Sequence, residues 1–340
     1  MKIHILYNFQ DGPTGGGNQF LKALKVFWQK QGIYEESPEK ADVILFNSHH
    51  ELNRVFRLKK KFPEKVFVHR IDGPIQLYRG KNKEIDNMIF KISTLIADGV
   101  IFQSNWSKEK NRQLCGRNFA KFEIVIYNAS DPDIFNNQGR KEFNPSQKIR
   151  LVATSWSANL KKGFGTYQFL DNNLNFQKYK MTFVGNLPVT FKNIKWVKPV
   201  PSKEVAEILK QNDIYITASQ EDACSNSLIE ALSCGLPAIA LNDGGHPELL
   251  QKGGELFEKK EDVIVKIEKV ANNYSYYQNN LPDLSMQKIS GQYFDFCLKI
   301  FEDVKNGYYF PRQVGVMAML DFGKARFFVN IRRVLNKLKL

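Results

Sequence analysis

The sequence is poor in cysteine, short of acids relative to bases, and has no long apolar run. Cys115, Cys224, Cys234 and Cys297 are its only cysteines in 340 residues, with no CxxC pair and no histidine at metal-ligand spacing. That excludes a disulfide scaffold and a thiolate zinc site, and suits reduced thiols in a cytoplasmic protein. No apolar stretch approaches the ~20 residues a bilayer-spanning helix needs. The opening MKIHILYNF is too brief in its apolar part for a signal peptide and reads as a strand. Acids number 35 against 49 lysines and arginines, and the net charge of +14 asks for an anionic partner. Nucleotide phosphates and an anionic membrane surface both qualify. Nucleic acid is not expected, because no zinc-finger, RRM-like or helix-turn-helix pattern accompanies the charge. A full dinucleotide fingerprint is also missing: the run Gly12-Pro13-Thr14-Gly15-Gly16-Gly17 is followed by Phe20 where a third glycine would stand, which disfavours an NAD-dependent dehydrogenase. Asp131-Pro132-Asp133 sits in a linker and reads as a turn with Asp capping and Pro fixing φ, not as a metal-binding DxD. With no other acid, histidine or cysteine cluster at ligand spacing, neither metal nor cofactor is expected.

What is present is alternation. KIHILYN, DVILFN, KVFVHR, GVIFQS and FEIVIY are short apolar runs separated by helix-like stretches. The polar run 136–148 interrupts the rhythm, and IRLVATS, KMTFVG, NIKWV, DIYITA and LPAIAL then repeat it with helices near 163–172, 202–211, 226–234 and 260–273. Such alternation predicts two doubly wound parallel sheets, with ligands beyond the carboxyl ends of the strands. The boundaries read as a first domain over 1–140, a second over 141–292, a closing helix over 293–323 and a basic tail over 324–340.

The most informative stretch is 213–250, DIYITASQEDACSNSLIEALSCGLPAIALNDGGHPELL. Ser225 or Asn226 is a good N-cap for a helix that stops at Gly235 before Pro237. Asp222 lies at the mouth of that helix and Glu230 about one turn inside it. Between them Ser225, Asn226 and Ser227 offer backbone N–H groups that a phosphate can meet.

Asp222, Glu230-Ala231, Gly235-Leu236-Pro237 and Gly244-Gly245-His246-Pro247-Glu248 resemble, in order and spacing, the signature of retaining GT-B glycosyltransferases of family four, also called glycosyl transferases group 1. The resemblance implies two Rossmann-like domains facing a central cleft and a C-terminal helix returning to the first. It implies transfer of a sugar from a nucleoside diphosphate sugar to an acceptor hydroxyl of a glycan, polysaccharide or lipid-linked saccharide, with retention and without metal. Carried onto this chain, Glu230 would hold the ribose, and Asp222, or Glu221 beside it, the sugar. Lys162, in Lys162-Gly163, would meet the diphosphate, together with the helix start at Ser225–Ser227. Gly16 and Gly17 would let the backbone approach the donor or acceptor, Gly185 in FVGNLP would lie beside the base, and His69 would face the cleft near the transferred sugar. Four departures stand out: Asp222 replaces Glu, Ala-Cys-Ser replaces Gly-aromatic-Gly after it, Ala129 replaces a glycine in the Asn128…Asp131…Phe135 link, and Ser157 occupies the position of the usual arginine. Lys162 therefore inherits more of the diphosphate charge.

The tail KARFFVNIRRVLNKLKL has six basic and no acidic residues, with Phe327, Phe328, Ile331, Val334, Leu335 and Leu338 at helical spacing. It suits a helix packed on the first domain or one lying on an anionic membrane surface. The expected setting is cytoplasmic, peripheral to the membrane if the second reading holds. The rival functions are a sugar epimerase or phosphorylase on the same fold, and a non-catalytic basic module.

Overall fold

The computed structural model describes residues 1–11, 15–80, 83–115 and 118–315, so the tail 324–340 and Gly12–Thr14 lie outside the described residues. The chain divides into two compact units, the first made of Met1–Phe9, Lys25–Ile126 and the segment from Ser290, the second of Gln10–Leu24 and Tyr127–Ile289. The division at Ile126 comes ahead of the polar run 136–148. Residues just before that run already belong to the second unit's packing: Asn128 N–H donates to Cys224 Sγ at 3.4 Å, and Phe135 is buried in a cluster with Leu228 and Leu232.

In the first unit, in chain order, lie β1 (Ile3–Leu6), α1 (Gly16–Lys30, shared with the second unit), β2 (Val43–Asn47), α2 (Leu52–Lys61), β3 (Val66–Ile71), α3 (Ile75–Arg79), α4 (Lys83–Ile96), β4 (Gly99–Phe102), α5 (Asn105–Cys115) and β5 (Phe122–Val125). The strands pair in parallel in the order β1-β2-β3-β4-β5. Tyr34 makes a parallel bridge to Ile3 on the outer side of β1, so the chain reverses direction across the sheet at that strand. Every residue of β1 to β4 is buried, so these segments are mostly apolar without alternation, with His4, Asn47, His69 and Arg70 as the buried polar exceptions.

The second unit contains β6 (Ile149–Ser155), α6 (Phe164–Asn173), β7 (Tyr179–Gly185), β8 (Lys195–Val197), α7 (Ser202–Lys210), β9 (Ile214–Thr217), α8 (Asn226–Ser233), β10 (Ala238–Leu241), α9 (His246–Leu250), β11 (Gly254–Phe257), α10 (Val263–Asn272) and α11 (Tyr274–Asn279). Its parallel order β11-β10-β9-β6-β7-β8 is doubly wound and reverses between β6 and β9. An open α/β sheet has its natural crevice at that reversal, beyond the strand ends. The last helix, α12 (Met286–Lys305), belongs to the first unit from Ser290 on. It packs so closely on β4 that a Cβ on Gly99 would come within 2.5 Å of Ile300 Cδ1.

Each unit pins its central strands at their amino-terminal ends. Asp213, just before β9, accepts from Arg150 N–H on β6 at 2.7 Å and from its Nε at 2.9 Å. Asp98, just before β4, accepts from Phe67 N–H on β3 at 2.8 Å and pairs with the buried Lys59 at 3.4 Å. Charges so deeply buried are tolerable because each is both paired and hydrogen-bonded. The carboxyl ends of the strands are left for chemistry.

Candidate active site

The site grows from the loops that leave β6 and β9. After Ser155 the chain passes Trp156 and reaches Asn159, whose side chain accepts from Lys161 N–H at 2.9 Å and caps a single 3-10 turn, Leu160–Lys162. Gly163 follows at φ 77°, and a Cβ there would fall 2.2 Å from the Ala218 carbonyl oxygen, so only glycine lets this turn sit against the end of β9. Gln220 N–H then donates to the Lys161 carbonyl at 2.7 Å, tying the two loops together. The result is two neighbouring ion pairs. Lys162 Nζ lies 2.9 Å from Asp222 Oδ2, and Lys161 binds Glu221.

The acidic loop is held from its other side by the glycines of GGHPE. Glu221 has a left-handed backbone, φ 52°, uncommon for a residue with a side chain. Its N–H donates to Asp243 Oδ2 at 2.9 Å, while Gly244 N–H donates to Asp243 Oδ1 at 2.7 Å. Gly245 N–H closes the arrangement by donating to the Asp222 carbonyl at 2.8 Å, and a Cβ on Gly244 would lie 2.3 Å from that same oxygen. Burial alone would push the Asp222 carboxyl up, but the Lys162 ammonium, then His246 and the hydrogen bond from Lys162, hold it below the usual carboxylate range. His246 is fully buried and bonded through Nδ1 to the Leu241 carbonyl at 3.0 Å.

Helix α8 begins immediately beyond. Its N-cap is Ser225, whose hydroxyl lies 3.2 Å from the Ser227 hydroxyl and caps no backbone N–H. The first-turn N–H groups therefore have no side-chain cap. Asn226 Oδ1 accepts from Asn128 Nδ2 at 3.0 Å, and Gly16, at the start of α1, packs so near that a Cβ would lie 1.9 Å from Asn226 Nδ2. Gly17 has open space around its Cα. Gly185 ends β7 at φ 128°, where a Cβ would sit 1.9 Å from the Ser155 carbonyl oxygen, and its own carbonyl accepts from Trp196 Nε1 at 2.9 Å.

Glu230, one turn into α8, is half-buried. Its carboxylate has no hydrogen-bond or ion-pair partner among the described residues, and burial pushes its carboxyl up to about 8. Burial above all raises the Tyr215 phenol on β9, with the charge of Glu230 adding to the rise and the Lys162 ammonium opposing it. A desolvated carboxyl without a partner has room for two hydrogen bonds, and a ligand that donates to both oxygens would favour its ionised form.

The structure thus gathers Lys162, Glu221, Asp222, Ser225, Asn226, Ser227 and Glu230 at the reversal point of the second sheet, with Gly16 against Asn226 and Gly185 at the end of the adjoining strand. His69 is placed differently, and its expected position facing the transferred sugar is corrected. It is fully buried in the first unit, with Nδ1 bonded to Ser93 Oγ at 2.8 Å, Nε2 to the Ser48 carbonyl at 2.9 Å, and its ring stacked 4.2 Å from that of Phe46. Burial lowers its pKa to about 3, so it is neutral and fully engaged in the core. His69→Ala should lower stability by about 2 kcal/mol through the stranded Ser48 and Ser93 groups and the lost packing. Turnover of the folded fraction should stay within a few-fold of wild type. A fall in turnover above tenfold with an unchanged urea midpoint would return His69 to the chemistry. Asp243 was not among the residues the sequence singled out, although an acid directly before Gly-Gly is a recognisable turn signal.

Against known proteins, residues 190–281 match the family Glycosyl transferases group 1. The chain is 29% identical over 115 residues, 30% of each sequence, to N-acetyl-alpha-D-glucosaminyl L-malate synthase of Bacillus anthracis. It is 32% identical over 93 residues to spore coat protein SA of Bacillus subtilis, 26% of this chain and 23% of that protein. The matched stretch thus spans under a third of either relative. Among solved structures, Anabaena HepE in complex with UDP-glucose superposes with a TM-score of 0.60 at 16% identity, covering 91% of this chain and 99% of that one. The catalytic domain of Arabidopsis thaliana starch synthase IV, bound to ADP and acarbose, gives 0.67 at 10% identity over 88% of this chain and 99% of its own. The family resemblance carried by residues 213–250 is borne out, and the fold is that of GT-B glycosyltransferases.

Proposed function

We propose that this group 1 glycosyltransferase chain moves a sugar from a nucleoside diphosphate to an acceptor hydroxyl of a glycan or lipid-linked saccharide, with retention and without a metal. The observation that carries the reading is Glu230: a half-buried carboxylate without a partner among the described residues, set beside a lysine and an uncapped helix start. A vicinal diol satisfies such a carboxylate, and a diphosphate suits the adjoining N–H groups and ammonium. Lys162 is paired with Asp222 at 2.9 Å; drawn to the leaving phosphate, it frees Asp222 to accept a hydrogen bond from a sugar hydroxyl. The bond from C1 to the diphosphate oxygen breaks as the acceptor oxygen bonds C1 on the same face. The acceptor proton passes to the leaving phosphate. Lys162, Lys161 and the α8 N–H groups supply the positive field that the departing charge needs.

A thermal-shift panel of nucleoside diphosphates and their sugars identifies the donor, and NMR of the transferred product reads its anomeric configuration. We expect the donor anomer to be kept and turnover in EDTA to stay within about twofold of the untreated rate. Inverted product, or activity lost in EDTA and restored by Mg²⁺ or Mn²⁺, would overturn the retaining or the metal-free part respectively.

A further inference from the structure

His246 is a buried titratable group to which the proposed mechanism gives no task. It opens α9, directly after the glycine whose N–H donates to the Asp222 carbonyl at 2.8 Å. Its Nδ1 lies 3.0 Å from the Leu241 carbonyl oxygen at the end of β10. A carbonyl only accepts, so Nδ1 carries the proton and Nε2 presents a bare lone pair. Burial lowers the pKa of the ring; Asp222 and the Leu241 carbonyl pull the other way, Lys162 adds to the fall and Asp243 opposes it, so at neutral pH the imidazole is uncharged. Nε2 is itself buried and has no hydrogen-bond partner among the described residues. His69 shows the contrast, a core histidine bonded through both nitrogens. A buried acceptor without a donor costs free energy, and such an atom calls for a reason.

The reason lies beside it. The charged side chains that the imidazole feels most are Asp222 and Lys162, the ion pair that an arriving diphosphate takes apart in the proposed mechanism. With Lys162 turned to the phosphate, Asp222 and His246 are neighbouring acceptors that have lost their shared cation. We propose that His246 Nε2 is a second acceptor for the transferred sugar, so that Asp222 takes one hydroxyl of the sugar ring and His246 the hydroxyl next to it. The donor class that fits is a nucleoside diphosphate sugar with two neighbouring free hydroxyls; a ring that is deoxygenated or O-substituted at either position has no proton to offer. A buried site made of acceptors rejects an analogue lacking the matching donor far more strongly than an apolar pocket does. The inference rests on the glycosyltransferase reading and deepens it by assigning what reads the sugar.

Two isosteres separate this role from a structural one. His246→Asn puts an amide N–H where Nδ1 stands, keeping the bond to Leu241 and removing the acceptor at Nε2. His246→Gln puts an amide oxygen where Nε2 stands and gives up the Leu241 bond. Calorimetry compares UDP-glucose with UDP, or the matching pair for whichever nucleotide the thermal-shift panel selects. The sugarless nucleotide should bind all three proteins alike, which shows the site to be intact. The ratio of nucleotide-sugar to nucleotide affinity should fall about tenfold in His246→Asn and stay within about twofold of wild type in His246→Gln. An unchanged ratio in His246→Asn, or an equal fall in both variants, overturns the inference; the first leaves His246 to the β10 turn or to a buried water, the second to packing alone. Donor analogues each lacking one ring hydroxyl need no variant: two neighbouring positions should each cost about tenfold in affinity on the intact protein, and a loss at fewer than two positions also overturns it. Failure of wild type to bind any nucleotide or nucleotide sugar would instead remove the glycosyltransferase reading beneath it.

Discussion

Replacing Glu230 by glutamine should make the protein more stable and a poorer nucleotide binder at the same time. The folded carboxyl is pushed from 4.5 to about 8 by burial, so the folded chain holds a proton that the unfolded chain has already released. Between those two values stability falls as pH rises, by about 1.4 kcal/mol per unit at most. Glutamine has no proton to lose. The variant's advantage should therefore be near zero below pH 4.5, grow steadily, and level off near pH 8 at no more than about 5 kcal/mol, and at roughly 3 kcal/mol once solvent screening of the half-buried carboxyl is allowed for, or about 5–10 °C in Tm. In binding the sign reverses. Glu230→Ala or Glu230→Gln should weaken nucleoside-diphosphate binding by roughly 10- to 1000-fold, because a diol held by charge-assisted bonds worth about 1.5–3 kcal/mol each loses its acceptor. A 2′,3′-dideoxy nucleotide should bind wild type and variant about equally, since it never used the carboxylate. Calorimetry on both proteins with both ligands decides the matter: an equal loss for the two ligands removes Glu230 from the ribose, and a pH-independent difference in Tm removes the desolvated carboxyl.

Lys162→Ala should lower turnover by roughly 100- to 1000-fold, the range seen when one preorganised electrostatic donor is withdrawn. The size follows from two features of this chain. Ser157 stands where a second cation is usual, and Lys161 is already engaged with Glu221. The variant has a second signature. Without the ammonium 2.9 Å away, burial dominates at Asp222 and its carboxyl moves up, so the acidic limb of the kcat/KM profile should shift to higher pH. Lys162→Arg keeps the charge and should keep that limb in place. If Lys162→Ala turns over within tenfold of wild type, the diphosphate is held by other groups and the assignment fails.

Local chemistry made much of this readable. Most strands of both sheets are legible because parallel strands covered on both faces are predominantly apolar, and α8 because Ser225, Gly235 and Pro237 mark its ends. Glu230 stands out in sequence because a carboxylate flanked by Leu228, Ile229, Ala231 and Leu232 needs a reason to be there. His69 was misread for an equally local cause. A histidine at the end of a strand looks the same whether its ring meets a crevice or a core, and the deciding groups, Ser48 and Ser93, lie 21 and 24 residues away.

Sequence by itself determined the two alternating halves, the family signature, the acid at the mouth of α8 and the acid within it. Those are properties of spacing, and spacing along a helix or strand is preserved on folding. Tertiary structure alone decided that Lys161 and Lys162 each take an acid 60 residues further on. It also decided that Asp243 holds the left-handed Glu221, and that Glu230 and His246 Nε2 are left without a partner among the described residues. Each of these depends on which strand lies beside which: β6 neighbours β9 only because the sheet reverses there, and no local pattern in the chain records that pairing.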